Sequence, residues 1–368
     1  MKILWLTNIP SPYRVDFFNE LGKCVNLTVI FEKSKSDERD KSWNSFNFIN
    51  FKGTIMRGIS TGYDSALSLQ VLKYLNSEYD IVVVTNASTP TGILAIIYMQ
   101  LYKISYIIEG DGGTPRSGKG MKEKLKMVLN KNAVAWFSSG LEHDKYYLKY
   151  GSNKDKIFRY PFTSIRNSDI ISRALSNEEK RTIRKELGMP LVNKIVIAVG
   201  RFVESKGFES LIESWKRVDS SVSLFIIGGG KEREKYELMI KENELKNIYL
   251  LDHLDKDILR KYYLASDLFV LPTKGDAWGL VINEAMACGL PVITTDRCIA
   301  GLELIDDYEN GYIVQVEDVE MLSSRIIEIM GDDELRYKMS SNNIRTISEY
   351  TIENMAEIHM KYFKQLLG

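Results

Sequence analysis

Two cationic side chains five positions apart follow an apolar run that is typical of a buried strand. The run is Ile195–Val199, and Arg201 and Lys206 come directly after it, before a segment of helical period. Two cations at the carboxyl end of a parallel strand are suited to a diphosphate, because both donate charged hydrogen bonds to phosphate oxygens. On this segment alone, a pair of solvated loop charges is an equally good interpretation.

A run of glycines follows the next apolar segment. Gly228, Gly229 and Gly230 separate the run Val222–Ile227 from another segment of helical period. Glycines at such a place let the backbone approach a ligand closely and leave the amino-terminus of the next helix open to an anion. A plain tight turn between a strand and a helix would explain the same residues.

Two carboxylates lie in a third segment, residues 271–292. Asp276 belongs to a loop after a strand, and Glu284 lies in the following helix, four residues after Leu280 and on the same face. Glu284 could accept both hydroxyls of a ribose, Asp276 could hold sugar hydroxyls, and the helix amino-terminus offers N–H groups to a phosphate. Taken singly they could be a helix cap and a surface acid, but their order and spacing favour a binding role.

Composition and motif searches exclude several classes of protein. The 368 residues suggest two domains, and 44% apolar residues are enough for complete cores. No Gly-x-Gly-x-x-Gly or P-loop sequence occurs, which disfavours nicotinamide chemistry and P-loop ATP hydrolysis. No stretch has the length of a membrane span or the pattern of a signal peptide. Three scattered cysteines fit a reducing cytoplasm; they are Cys24, Cys288 and Cys298.

Apolar runs alternate with segments of helical period along the chain, which is typical of parallel sheets with crossover helices. The expected strands are 2–7, 27–31, 81–84, 106–108, 134–137 and 157–159 in the first half, and 195–199, 222–227, 248–251, 268–271, 292–294 and 312–314 in the second. The expected helices are 13–22, 64–76, 92–102, 121–130 and 141–150, then 208–218, 231–243, 256–266, 278–288 and 319–330, with a terminal helix at 351–367.

This rhythm predicts an α/β protein with two doubly wound, Rossmann-like domains that face each other across a cleft. The first domain is expected over residues 1–165 and the second over 166–350, with residues 351–368 packing back onto the first. In open parallel sheets the ligand lies outside the carboxyl ends of the strands, so we expect the site there.

The second half resembles the nucleotide-sugar domain of glycosyltransferase family 4, whose members are retaining enzymes of the GT-B fold. The resemblance covers residues 194–340, and its motifs keep the family's order: Val199-Gly200-Arg201 with Lys206-Gly207, then Ile226 to Gly230, then Ala265 to Pro272 running through Gly279-Leu280 to residues 284–292. The first half resembles the family in its strand–helix rhythm and in the loop Pro10-Ser11-Pro12-Tyr13-Arg14. Pro12, Tyr13 and Arg14 are expected on the acceptor side.

The resemblance implies a role for each matching residue. Arg201 and Lys206 would neutralise the departing diphosphate, and Glu284 would bind the nucleotide ribose. The remaining donor contacts would come from the backbone of Gly279 and Leu280, from Gly228 and Gly229, and from Leu254 beside the base.

Two positions depart from the family pattern. The family has a glutamate where this chain has Asp276, whose reach toward the donor sugar is one methylene shorter. The family often has a histidine after the fourth strand of the first domain, where this chain has Glu109 and Asp111. Either carboxylate could stabilise an oxocarbenium-like transition state near the anomeric carbon. Both could equally cap the glycine-rich loop that follows.

The implied reaction is front-face transfer with retention, with a UDP-sugar as the favoured donor and a glycan or lipid-diphosphate-linked acceptor in surface polysaccharide assembly. Such a reaction needs charge stabilisation of the leaving group, which cations and a helix amino-terminus supply without a metal or another cofactor. A non-catalytic nucleotide-sugar-binding subunit is the alternative. No nucleic-acid partner is expected.

Positive charge is concentrated in the first half. Residues 1–165 have a net charge of +7 and residues 166–368 a net charge of −7. Much of the excess lies in residues 116–131, where Met121, Leu125, Val128 and Leu129 recur at helical spacing among basic residues. A basic amphipathic helix of this kind predicts peripheral binding to the anionic inner face of the cell membrane, whereas a helix packed on the sheet with solvated lysines is the alternative. The basic residues are Arg116, Lys119, Lys122, Lys124, Lys126 and Lys131.

Overall fold

The computed structural model describes residues 1–35, 47–76, 78–113, 118 and 120–368. It divides into two compact units. The first unit is Met1–Ser164 together with Thr351–Gly368, and the second is Ile165–Tyr350. The chain therefore leaves the first unit near residue 164 and returns to it with its terminal helix.

A fully parallel sheet forms the centre of the first unit. In the described part of this unit the strand order is β3-β2-β1-β6-β7-β8-β9, which is a doubly wound arrangement. The strands, with the small hairpin of β4 and β5, are β1 (Lys2–Thr7), β2 (Asn26–Phe31), β3 (Lys52–Ile55), β4 (Ile59–Ser60), β5 (Ala66–Leu67), β6 (Ile81–Val84), β7 (Tyr106–Gly110), β8 (Ala135–Ser138) and β9 (Ile157–Arg159). The helices are α1 (Pro12–Leu21), α2 (Pro90–Tyr102), α3 (Met121–Lys131) and α4 (Leu141–Lys149), with the terminal helix given below.

The second unit has a second parallel sheet, of order β12-β11-β10-β13-β14-β15. Its strands are almost wholly buried because helices cover both faces. They are β10 (Lys194–Val199), β11 (Val222–Ile227), β12 (Ile248–Leu251), β13 (Leu268–Leu271), β14 (Val292–Thr295) and β15 (Gly311–Val314). The helices are α5 (Asn177–Leu187), α6 (Phe208–Ser214), α7 (Arg233–Glu242), α8 (Lys256–Ala265), α9 (Leu280–Ala287), α10 (Ile299–Leu304), α11 (Val319–Gly331) and α12 (Asp333–Ile347).

The last helix, α13 (Ile352–Leu367), packs against α1 in the first unit. Phe363 and His359 of this helix contact the ring of Trp5 in β1, with centroid distances of 6.4 and 5.9 Å. Phe17 of α1 lies 4.9 Å from the His359 ring. An aromatic cluster thus ties the carboxyl-terminal helix to the first strand and the first helix.

The prediction of a helix over residues 64–76 was wrong. Ala66 and Leu67 pair as β5 with β4, and only a short 3₁₀ turn, Leu69–Lys73, follows. Tertiary hydrogen bonds explain the difference: the Ala66 N–H donates to the buried carboxylate of Glu32, and the Ala66 carbonyl accepts from the Thr91 hydroxyl. These bonds hold the backbone extended and outweigh local helical propensity.

Candidate functional site

Three loops at the carboxyl edge of the second sheet carry most of the predicted donor residues. Arg201 and Lys206 follow β10, Gly228 follows β11, and Asp276 follows β13. The first and third loops are joined, since the Ser205 carbonyl accepts from the Lys274 N–H and from the Thr273 hydroxyl, each at 2.8 Å. Gly207 has a φ of +67°, and a Cβ there would meet the Pro272 carbonyl oxygen at 2.0 Å. Only glycine therefore allows the two loops to lie this close.

The joined loops bring Lys206 and Asp276 together. Their side chains form an ion pair in which the Lys206 ammonium donates to Asp276 Oδ2. The pair is neither buried nor fully solvated, with exposed fractions of 17% for Lys206 and 19% for Asp276. A lysine in this position can exchange a carboxylate partner for a phosphate oxygen without moving far, because its three donors rotate freely. Arg201 is exposed at the same edge.

Two of the three glycines after β11 allow close packing of the backbone, whereas the sequence predicted close approach of a ligand. A Cβ on Gly228 would meet the Gly200 carbonyl oxygen at 1.9 Å, and one on Gly230 would meet the Phe202 carbonyl oxygen at 2.5 Å. The Phe202 N–H also donates to the Gly229 carbonyl at 2.8 Å. Gly229 alone of the three has nothing near its Cβ position. The sequence predicts that a ligand approaches these glycines closely, but in the structure the loop after β10 makes that approach to Gly228 and Gly230. Gly229 is the glycine whose Cβ position faces open space.

Helix α9 begins at this edge of the sheet. Gly279 precedes it with a φ of +105°, and Leu280 is its first residue. The first N–H groups of a helix have no carbonyl partners within the helix and carry its positive partial charge. One turn later, Glu284 accepts a hydrogen bond from the buried hydroxyl of Tyr263 at 3.2 Å. Burial, assisted by the Glu284 charge, raises the pKa of Tyr263, so that its hydroxyl remains a donor to this carboxylate.

Leu254, predicted beside the base, is half-buried in the loop between β12 and α8. The same loop leads into Asp255 and Asp257, an Asp-x-Asp pair at the start of α8 whose residues are both exposed. No group of three or more His, Cys, Asp or Glu residues that could hold a metal occurs among the residues that the structure describes. Independence from metal stays a prediction.

In the first unit, the predicted carboxylates and the predicted acceptor loop form one charge network. Glu109, at the end of β7, accepts from Arg14 Nη1 at 2.6 Å, and Asp111 accepts from Arg14 Nη2. Asp111 also accepts from the Tyr13 hydroxyl at 3.1 Å. Pro12, Tyr13 and Arg14 therefore form the first turn of α1 rather than a loop, with Pro12 at a position where its missing N–H costs nothing.

The network continues to the terminal helix. His359 Nε2 lies 3.1 Å from Glu109 Oε2, and His359 Nδ1 lies 2.7 Å from the Met355 carbonyl oxygen. Both ring nitrogens thus face oxygen acceptors, and the ring can donate to both only when each nitrogen carries a proton. Burial alone would raise the pKa of Glu109, but the charge of Arg14 and the bond from His359 outweigh it and keep that pKa below its usual value.

The two carboxylates differ in what they can contact. The Glu109 side chain has no exposed surface, whereas 35% of the Asp111 side chain is exposed. Both oxygens of Glu109 already accept hydrogen bonds from Arg14 and His359. This arrangement does not support a role for Glu109 near the anomeric carbon, and that role stays a prediction. Asp111 is the carboxylate of the two that a ligand could reach.

Sequence reasoning missed two histidines that surround this strand end. His143, in the first turn of α4, lies so close to Gly110 that a Cβ at residue 110 would meet its Cε1 at 2.4 Å. Burial lowers the pKa of His143 to about 3, so the ring is neutral at ordinary pH. Its place directly after β8 was a usable signal, because β8 neighbours β7. His359 gave no such signal, since it lies 250 residues from Glu109.

The basic segment forms α3, although Arg116 and Lys119 lie outside the described residues. Leu129 is buried, whereas Met121, Leu125 and Val128 are exposed on the surface. Lys122, Lys124 and Lys131 are exposed on the same helix, and Lys126 pairs with Glu123 at 3.0 Å. The apolar side chains are thus only partly used for packing on the sheet. Across the described ranges, no helix has the length and apolar character needed to cross a membrane.

Comparisons with known proteins agree with this arrangement. Residues 179–346 match the family model described as Glycosyl transferases group 1. An uncharacterized glycosyltransferase of Methanocaldococcus jannaschii is 26% identical over 323 residues, which cover 80% of this chain and 88% of that protein. LpsE, a lipopolysaccharide core biosynthesis glycosyltransferase of Rhizobium meliloti, is 29% identical over 48% of this chain and 52% of its own length.

Among solved structures, Anabaena HepE in complex with UDP matches with a TM-score of 0.80 and 17% identity. The match covers 99% of this chain and 100% of HepE. The likeness in fold therefore extends over both units.

Replacing Glu109 by Gln should lower the free energy of unfolding by roughly 3–5 kcal/mol, because the buried Arg14 would lose its buried counter-ion and keep only the partly exposed Asp111. Since the folded pKa of Glu109 is depressed, its contribution is complete above the usual value of 4.5 and is lost as the pH falls through the folded pKa. Urea unfolding below pH 4.5 should show a smaller loss of stability in E109Q than in the wild type. The exposed Glu237→Gln, in contrast, should change stability by less than about 0.5 kcal/mol; an equally small effect of E109Q would contradict the buried ion pair.

Proposed function

We propose that this chain, whose residues 179–346 match the Glycosyl transferases group 1 model and which has the GT-B fold, transfers a sugar from a UDP-sugar to a glycan or lipid-diphosphate-linked acceptor with retention of configuration. The observation that carries the proposal is the ion pair of Lys206 and Asp276 at the carboxyl edge of the second sheet. Arg201 is exposed in the same loop as Lys206, and Asp276 comes four residues before the start of α9, the helix that holds Glu284. A non-catalytic subunit finds no support, since the relatives described above are named as glycosyltransferases.

Each group at this edge has a chemical task in the proposed reaction. The bond between the anomeric carbon and the β-phosphate oxygen breaks, and Arg201 and Lys206 stabilise the negative charge on the departing diphosphate. The acceptor hydroxyl attacks the same face of the anomeric carbon, and its proton passes to the departing phosphate oxygen. The N–H groups at the start of α9 add to this stabilisation without a metal.

The ion pair of Lys206 and Asp276 suggests how the donor is held. Arrival of a diphosphate gives Lys206 a new acceptor and leaves the Asp276 oxygens open to hydroxyls of the donor sugar. Glu284, which Tyr263 orients through its hydroxyl, binds the ribose. HepE, similar in fold, was solved with UDP, which supports uridine as the base. LpsE, named for lipopolysaccharide core biosynthesis, supports a surface polysaccharide as the product.

The surface of α2 and α3 supports binding to an anionic membrane from the cytoplasmic side. Met121 of α3 is 86% exposed and Leu101 of α2 is 74% exposed, and the Gln100 side chain donates to the Val128 carbonyl and joins the two helices. Apolar side chains beside exposed lysines are the features of interfacial helices that bind anionic lipids. Such binding would bring the enzyme to a lipid-linked acceptor.

The proposed transfer is tested with purified enzyme, UDP-sugars and a lipid-diphosphate-linked acceptor in the presence of a metal chelator. Proton NMR of the product should show the anomeric configuration of the donor. Lys206→Ala and Arg201→Ala should each lower kcat about 10²- to 10³-fold, because each removes charge stabilisation of the leaving group. Glu284→Gln should raise the donor KM roughly 10-fold or more, as expected for a lost hydrogen bond to a charged group.

Lys246→Ala is the matched control, because Lys246 is an exposed lysine of the same unit away from the three loops. Full activity of both Lys206→Ala and Arg201→Ala would contradict the assignment of these cations to the diphosphate. Inversion at the anomeric carbon would contradict the front-face reaction.

Membrane binding is tested by co-sedimentation with vesicles that contain or lack anionic phosphatidylglycerol. The wild type should bind the anionic vesicles, and the double variant Lys122→Glu/Lys124→Glu should bind them at least tenfold more weakly, since each lysine near the surface contributes about 1 kcal/mol. Lys241→Glu/Lys246→Glu in the second unit makes the same change of charge and should bind as the wild type does. Equal binding of the wild type to neutral and anionic vesicles would refute the proposal.

A further inference from the structure

We propose that Arg14 and His359 are positioning residues that orient Asp111 as the carboxylate of the first unit acting in sugar transfer; this inference rests on the proposed function. Asp111 follows β7 at the carboxyl edge of the first sheet, where ligands of doubly wound sheets bind. It is the exposed member of a network whose other charged side chains are buried.

Arg14 has the geometry of an orienting group. Its guanidinium is a planar fork, and the two terminal nitrogens donate to different carboxylates, Nη1 to Glu109 and Nη2 to Asp111. The side chain is only 3% exposed and lies against the rings of Phe17 and Phe162, at 5.9 and 5.6 Å. Because the guanidinium is fixed on one side by Glu109, the direction of its second nitrogen sets the position of Asp111.

Glu109 is in turn fixed by His359. The Glu109 oxygen that does not accept from Arg14 lies 3.1 Å from His359 Nε2, in a site with no exposed surface on either side chain. The terminal helix thus contributes to a catalytic carboxylate of the first unit through two intervening side chains.

The Tyr13 hydroxyl supplies the second contact to Asp111, at 3.1 Å. It donates to Oδ2, whereas Arg14 donates to Oδ1, so the carboxylate plane is fixed at both oxygens. The two glycines that follow, Gly112 and Gly113, have φ values of +141° and +150°. Both values lie in the region that favours glycine, so the backbone directly after Asp111 has a conformation that residues with a Cβ rarely adopt.

The test is a double-mutant cycle of Arg14→Lys and Asp111→Asn, measured as kcat and donor KM. Asp111→Asn should lower kcat roughly 10- to 100-fold, the loss expected when a reacting group is misplaced or removed. Arg14→Lys keeps the charge but loses the fork, and it should lower kcat in the same range. The donor KM should change less than about twofold, because the donor is held by the second unit. The double variant should be no slower than Asp111→Asn alone, since Arg14 acts through Asp111.

Two further variants separate positioning from folding. Tyr13→Phe removes a contact to Asp111 without touching a buried charge, and it should lower kcat severalfold at an unchanged melting temperature. His359→Ala should lower kcat, and His359→Gln, which keeps a donor toward Glu109, should recover most of the loss. Tyr362→Phe is the matched control on the same helix, since its hydroxyl donates to the Arg159 carbonyl and not to the network; it should retain wild-type kcat.

Independent, multiplying effects of Arg14→Lys and Asp111→Asn on kcat would overturn the inference and leave the proposed transfer intact. A full kcat for Tyr13→Phe and for His359→Ala would overturn it likewise. Absence of transfer in the wild type would instead contradict the proposed function, and this inference would fail with it.

Discussion

Parallel strand direction is the constraint on which every candidate residue depends. Because all strands of a parallel sheet run the same way, their carboxyl ends lie along one edge, and residues distant in sequence meet there. In the second unit this edge gathers Lys206 and Asp276 from loops that are 70 residues apart. In the first unit it gathers Arg14 and Asp111, which are 97 residues apart. The same geometry has therefore built a charged cluster twice, once in each unit.

The opposite edge of the second sheet shows what a purely structural cluster looks like. There Asp267 accepts from Arg184 at 2.7 Å, from Lys180 at 2.9 Å and from the Ile195 N–H at 2.8 Å. Burial would raise the pKa of Asp267, but the charges of Lys180 and Arg184 lower it below its usual value. Every oxygen is used and the group is almost fully buried, so nothing remains for a ligand. Lys206 and Asp276, in contrast, are partly exposed and form an ion pair with each other. A phosphate oxygen can therefore replace Asp276 as the partner of Lys206.

The sequence was most informative where local pattern decides the outcome. Continuous apolar runs located the strands β10 to β15 to within one residue, because all of these strands except the edge strand β12 are almost wholly buried. The motifs after β10 and β13 likewise placed Arg201, Lys206 and Asp276 after the carboxyl ends of two strands, where the structure has them. The fold also agrees with the family that those motifs resemble, and residues 179–346 match the model described as Glycosyl transferases group 1.

Long-range side-chain contacts were beyond the reach of sequence. The helix expected at residues 64–76 failed because Glu32 and Thr91 hold Ala66 extended. The burial of Glu109 could not be predicted, because neither its pairing with Arg14 nor that with His359 leaves a local trace. Gly228 is expected from the sequence to contact the donor, but the Gly200 carbonyl occupies the space that a Cβ at residue 228 would need. In each case a contact between distant segments decides the role of the residue.

Thermal unfolding of the purified protein with UDP-, GDP- and ADP-sugars, with and without a divalent cation, tests whether the second unit is a nucleotide-sugar site. A UDP-sugar at 100 times its Kd should stabilise the wild type by about 2.7 kcal/mol without a metal. At the same ligand concentration the stabilisation should fall by about 1.4 kcal/mol or more in Glu284→Ala, which corresponds to a tenfold or larger rise in Kd, and should be kept in Lys246→Ala. Absence of any stabilisation by these nucleotide sugars, or an equal stabilisation of Glu284→Ala, would contradict a donor site at this edge of the sheet.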